Sequence, residues 1–107
     1  NVSRIVPLNG KPYVDVNAAA WRNIYGFTGR VAWESDAILD GMNTKGLTVS
    51  LLELDYDDGT KYLLPGDPTL DVNKKNLSVY DIPTLLLSQA STVGEAKQLI
   101  QAYNIVN

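Results

Sequence analysis

The spacing of apolar residues changes once along this 107-residue chain, and that change limits the fold more than any other feature. In Gly46-Leu47-Thr48-Val49-Ser50-Leu51-Leu52-Glu53-Leu54-Asp55, Leu47, Val49 and Leu51 fall on one face and Thr48, Ser50 and Leu52 on the other, the two-residue repeat of a strand. This reads as a mostly buried strand entered through the Asn43-Thr44-Lys45-Gly46 turn. After Asp81 the spacing becomes helical: Asp81 stands at a cap position, Pro83 suits a first turn, and Leu85, Leu86 and Gln89 follow at helical intervals. Thr92-Val93-Gly94-Glu95 then has the form of a capping box, in which hydroxyl and carboxylate each satisfy a backbone N–H left free at the helix start. Ala96, Leu99, Ile100 and Tyr103 supply an apolar stripe for that second helix. Strands first and helices last predict an α+β fold.

The remaining segments are shorter. Val2 to Leu8 is β-prone and ends at the turn pair Asn9-Gly10, after which Pro12 to Val16 reads as a second extended piece. Ile24 to Trp33 mixes aromatic and β-branched residues around Gly26 and Gly29 and reads as another strand. Asp55 to Asn76, punctuated by Asp58-Gly59, Pro65-Gly66 and Asp67-Pro68, reads as an irregular surface excursion, a lid or contact loop.

Composition narrows the chemistry. Nine basic and twelve acidic residues give a net charge of −3 without a Lys/Arg stripe, which argues against nucleic acid as a partner. No apolar run reaches the roughly 20 residues that span a bilayer, so no membrane partner is expected. Cysteine and histidine are both absent, which removes disulfides, thiolates, the usual zinc ligands and imidazole acid–base catalysis from this stretch.

Three blocks carry a family resemblance. Asp40-Gly41-Met42-Asn43-Thr44-Lys45-Gly46-Leu47, continuing into Thr48-Val49-Ser50-Leu51-Leu52, resembles the DGMNEKGL-then-strand signature of choloylglycine hydrolases and penicillin V acylases. Trp21 to Phe27 is similar to the family's W-x-x-x-YG strand, and Leu85 to Ala96 to its LL-x-x-CATV-x-EA helix pair. The resemblance implies part of the αββα sandwich of an N-terminal nucleophile hydrolase, with residues 1–107 as a single partial domain from its N-terminal half. It implies hydrolysis of linear amide C–N bonds, in which an N-terminal Cys attacks the carbonyl and its own α-amino group is the base, with no cofactor or metal.

On this resemblance the nucleophile block, a Cys followed by an Arg and an Asp, belongs before Asn1, and a later Asn and Arg belong after Asn107. The chain alone is then expected to be catalytically silent, since Asn1 has neither thiol nor hydroxyl. Glu53 aligns with the family's oxyanion-hole position, usually Asn in bile-salt hydrolases and Tyr in penicillin V acylases. The backbone N–H acts there, a contribution worth roughly 3 kcal/mol in comparable sites. A Glu side chain leaves that donor in place but disfavours an anionic group nearby, so Glu53 is also a substrate-binding candidate. Leu39 aligns with a small apolar pocket position and is the second substrate-binding candidate.

The expected ligand of the parent enzyme is an N-acyl amide of bile-salt, penicillin V or acyl-homoserine-lactone type. A homo-oligomer or a complementing chain is the expected assembly. The competing reading is a non-catalytic α+β binding module that keeps the scaffold. Plainer readings also stand beside each site: Asp40 to Asn43 as an ordinary turn into a strand, Glu53, Asp55, Asp57 and Asp58 as a solvated acidic strand end, and Trp21, Trp33, Tyr25 and Phe27 as core.

Overall fold

The computed structural model describes residues 17–31, 37–52 and 63–106. The order of elements is β1 (Phe27–Val31), β2 (Ile38–Asn43), β3 (Thr48–Ser50), β4 (Lys75–Ser78), α1 (Ile82–Gln89), α2 (Val93–Gln101) and β5 (Tyr103–Val106). The first three strands form an antiparallel sheet in chain order, and β4 and β5 form a parallel pair joined across α1 and α2. Isolated bridges from Ala18 to Asn76 and from Leu63 to Val106 flank that pair. The fold is α+β, with antiparallel strands followed by helices, as the change of period predicts.

Helix α1 organises the core. A helix advances about 100° per residue, so three consecutive residues face three directions. Leu85, Leu86 and Leu87 are all buried. Leu85 packs with Ala19, Trp21 and Leu77, supported by Tyr103 and Ile105. Leu86 packs with Leu47, Ala90 and Ala96, supported by Val49, Leu99 and Ile100. Ile82, half-buried, touches both clusters. A short helix that buries leucines in three directions has to be enclosed on those sides, and each leucine contributes about 1.5–3 kcal/mol by leaving water.

Leu87 meets the antiparallel sheet where side chains are missing. Gly29 and Gly41 pair directly across β1 and β2. A Cβ on Gly41 would stand 2.6 Å from Leu87 Cδ1 and 2.8 Å from the Thr28 carbonyl oxygen. Glycine at 41 is therefore a close-approach residue that lets α1 lie directly on the strands.

Several expectations are corrected. The plainer reading of Asp40 to Asn43 as a turn is not met, because these residues lie within β2; the turn runs from Asn43 to Gly46, as expected. The expected strand from Ile24 to Trp33 is paired only over Phe27–Val31 among its described residues, because Ile24 and Tyr25 spend their N–H groups on α1. Strand β3 buries one face rather than most of its surface: Leu47 is buried and Val49 half-buried, whereas Thr48, Ser50 and Leu52 are exposed. The irregular excursion ends earlier than Asn76, since Lys75 already opens β4. Tyr103 belongs to β5 and not to the stripe of α2, which stops at Gln101. The expected strands at Val2 to Leu8 and Pro12 to Val16, and Trp33, lie outside the described residues.

The helix starts follow the sequence with two adjustments. Pro83 sits in the first turn of α1, but Asp81 does not cap it through its side chain; a 3-10 turn over Val79–Asp81 leads in instead. At α2 the Thr92 hydroxyl accepts from the Glu95 N–H at 3.2 Å, as a capping box requires. The Glu95 carboxylate reaches one residue further back than the motif prescribes, accepting from the Ser91 N–H at 3.1 Å and the Ser91 hydroxyl at 2.8 Å.

Two expectations follow. Gly41→Ala lowers stability by about 1–3 kcal/mol through overpacking, measured by denaturant unfolding. Combined with Leu87→Ala the loss is smaller than the sum of the two, because the variants share one contact. Separately, the Ser91 N–H, then its hydroxyl, hold the Glu95 carboxyl below the usual glutamate range. A depressed carboxylate stabilises above its unfolded pKa and loses that effect as pH falls through the folded value. Acidification from the ordinary glutamate range downward should therefore loosen the start of α2, seen as a pH-dependent Ser91 amide resonance that Glu95→Gln abolishes.

Candidate active-site strand pair

The three sequence blocks meet at the C-terminus of α1. The last carbonyls of a helix lack partners within the helix and must find them elsewhere. Here the Leu86 carbonyl accepts from the Ala90 N–H at 2.8 Å, and the Ser88 carbonyl accepts from the N–H groups of Ile24 (2.8 Å) and Tyr25 (3.0 Å). The Leu87 carbonyl accepts from Asn43 Nδ2 at 3.0 Å, and the Ala90 carbonyl beyond the helix accepts from the same nitrogen at 2.6 Å. The Gln89 side chain completes the junction by donating to the Arg22 carbonyl at 2.7 Å. The segment around Tyr25, the hairpin and the helix pair are thus tied at one point.

Asn43 uses its full hydrogen-bonding capacity there. Its side-chain oxygen accepts from the N–H groups of Lys45 and Leu47, each at 3.0 Å, while its nitrogen makes the two bonds to α1. The side chain is buried. Its backbone closes the hairpin as well: the Asn43 N–H donates to the Leu47 carbonyl and the Gly46 N–H to the Asn43 carbonyl, both at 3.0 Å. Gly46 completes the three-residue loop at φ 85°, the left-handed region where glycine is favoured. Lys45 places its ammonium 5.7 Å from the centre of the Tyr25 ring, a cation–π contact across the same junction.

Strand β2 carries Leu39 at an irregularity. Arg30 pairs with Asp40 but Val31 pairs with Ile38, so Leu39 is an extra residue on β2. Such a bulge bends the strand and redirects side chains. Leu39 is half-buried, and its carbonyl accepts from the Leu51 N–H at 2.7 Å. Glu53 follows Leu51 by two positions and lies outside the described residues, as do Asp55, Asp57 and Asp58. The structure therefore joins Leu39 to Leu51, just past the end of β3. Arg30 and Asp40, directly opposite each other, form an exposed ion pair next to the bulge.

Two hydroxyls invite comparison with a nucleophile. Ser88 is fully buried and donates to the Leu85 carbonyl at 3.0 Å, which commits it to the helix. Ser91 is bonded to the Glu95 carboxylate, but hydrogen bonding pushes that carboxyl down in pKa, the wrong direction for a general base. Trp21 is buried in the core beside Leu77 and Leu85, whereas Tyr25 and Phe27 are half-buried and belong to neither core cluster. Among the described residues no group of three or more His, Cys, Asp or Glu side chains is placed to hold a metal ion, and no helix is long and apolar enough to cross a membrane. The residue that sequence reasoning passed over is Asn43, whose identity inside a glycine-containing turn suggested backbone tolerance rather than a fully bonded buried amide.

Asn43→Ala strands the Leu87 and Ala90 carbonyls and the Leu47 N–H. The expected loss is about 3 kcal/mol, from buried polar groups left unsatisfied, measured by chemical denaturation. Arg30→Ala, which removes an exposed ion pair, should cost no more than about 1 kcal/mol in the same experiment.

No curated protein matches this chain. The sequence model of the linear amide C–N hydrolases, choloylglycine hydrolase family, matches residues 2–107, which include all three blocks that meet at α1. The chain belongs to the choloylglycine hydrolase family of linear amide C–N hydrolases.

Proposed function

We propose that this chain forms scaffold strands and one side of the substrate pocket of a hydrolase that cleaves N-acyl amides of bile-salt, penicillin V or acyl-homoserine-lactone type. The observation that supports this most directly is the Leu51 N–H to Leu39 carbonyl bond of 2.7 Å, which joins the bulged strand to the chain leading to Glu53. In this reading the Glu53 backbone N–H stabilises the tetrahedral oxyanion formed when an N-terminal Cys attacks the amide carbonyl. The amine then leaves, and water releases the acyl group from the thioester. Leu39 lines the acyl side of the pocket. The Glu53 carboxylate disfavours substrates with a second anionic group near the scissile bond.

The test uses the protein expressed from its complete reading frame, assayed for amine release against taurine- and glycine-conjugated bile salts, penicillin V and N-acyl homoserine lactones. At least one class should be hydrolysed. Glu53→Ala should retain most of kcat, since the backbone donor remains. Glu53→Pro, which has no N–H, should lose about 10²- to 10³-fold in kcat. Equal kcat in the two variants argues against Glu53 as the oxyanion donor. Saturable binding of these ligands without turnover argues for the non-catalytic module.

A further inference from the structure

We infer that Asn43 is a positioning residue for amide hydrolysis, fixing the register in which β3 lies on β2 and hence which backbone N–H is presented beyond Leu51. The inference rests on the reading that the Glu53 N–H is the oxyanion donor.

Strand β3 is hydrogen-bonded on one side, to β2, among the described residues. Its pairing covers Asp40–Ser50, Gly41–Val49 and Met42–Thr48, and the Leu51 bond to Leu39 extends it past the bulge. So short a ladder does little to resist a slip. A slip of one residue moves every side chain to the opposite face and puts a different N–H at each position. Side-chain burial gives only partial protection here, because Thr48, Ser50 and Leu52 are exposed and just Leu47 and Val49 reach the core cluster around Leu86.

The register must therefore be set from the loop, and Asn43 sets it there. Its side-chain oxygen holds the N–H of Leu47, the residue entering β3, while its backbone N–H donates to the Leu47 carbonyl. Both polar groups of Leu47 are thus bound to one residue of β2. The two bonds from Asn43 Nδ2 to the Leu87 and Ala90 carbonyls fix that residue against α1. Asn43 touches no reacting atom in this account. It acts through β3, which Leu47 enters six positions before Glu53 in the sequence.

The test compares kinetics of variants in the complete protein at a temperature well below each melting point, with rates normalised to active-site titre. The substrate is the N-acyl amide hydrolysed fastest in the panel above. Asn43→Ala should lower kcat about 10- to 100-fold, with KM unchanged within about twofold, because a displaced oxyanion donor affects the transition state rather than ground-state binding. Leu85→Ala, in the cluster around Trp21, is the control: it lowers the melting temperature while kcat stays at the wild-type value. If Asn43→Ala, folded, keeps the kcat of Leu85→Ala, the inference is wrong and Asn43 is structural only. If Asn43→Ala does not fold, Gly46→Val decides. A Cβ at 46 has nothing within 4 Å, so the strain stays in the loop backbone at φ 85°. Its kcat must then fall with KM preserved, and an unchanged kcat overturns the inference. A wild-type protein that hydrolyses none of the panel overturns the hydrolase reading and this one with it, and is told apart from the other outcomes by the wild-type assay itself.

Discussion

The enclosure of Leu85, Leu86 and Leu87 on a helix of two turns is the constraint on which the described fold depends. Among the described residues one sheet has three short strands and the other two, and sheets of that size are marginal without something packed on them. Because consecutive helical residues point about 100° apart, the three leucines cannot share one face. Leu85 is buried with Leu77 of β4 and with Trp21, Leu86 with Leu47 and Ala96, and Leu87 against Gly41 of β2. The helix is the common layer of two small assemblies, and separating either from it exposes a leucine.

Polar chemistry sets the direction of that packing. Hydrophobic contact alone would let α1 slide along the strands, since dispersion and burial have no preferred orientation. The carbonyls at its C-terminus remove that freedom. Ser88 is bound by two backbone N–H groups from the chain before β1, and Leu87 by the side chain of Asn43 from the end of β2. The missing side chain at Gly41 sets how closely the layers approach, and these bonds set where along each other they sit. A buried amide with all four bonds made is stabilising and geometrically exacting at once.

What the sequence made legible follows from these interactions. The helix starts were readable because Pro83 and the Thr92–Glu95 pair act within a few residues of themselves. The Asn43 to Gly46 turn was readable for the same reason, through the left-handed backbone at Gly46. Strands β4 and β5 were not, because their reasons are distant. Asn76 and Ser78 look like loop residues, yet both are buried. Asn76 exchanges backbone bonds with Asn17 and Ala19, each at 2.7 Å, and its side-chain oxygen accepts from Asn104 Nδ2 at 3.0 Å. Tyr103 falls at a helical interval after Ile100, but a parallel partner 28 positions upstream at Lys75 outweighs that local periodicity. Of the two site candidates, Leu39 came from alignment and not from pattern; no alternation or turn rule marks a bulge that appears only when Val31 skips to Ile38.

The same reasoning explains why the family is readable from a stretch without Cys or His. The blocks that carry the resemblance are those that meet at the end of α1, and each is constrained by contact with the others. Trp21 and the N–H groups of Ile24 and Tyr25 come from the first block, Gly41 and Asn43 from the second, Leu85 to Ala90 from the third. A change in one requires a matching change in another: a side chain at Gly41 needs space from Leu87, and a different residue at 43 leaves helix carbonyls without a donor.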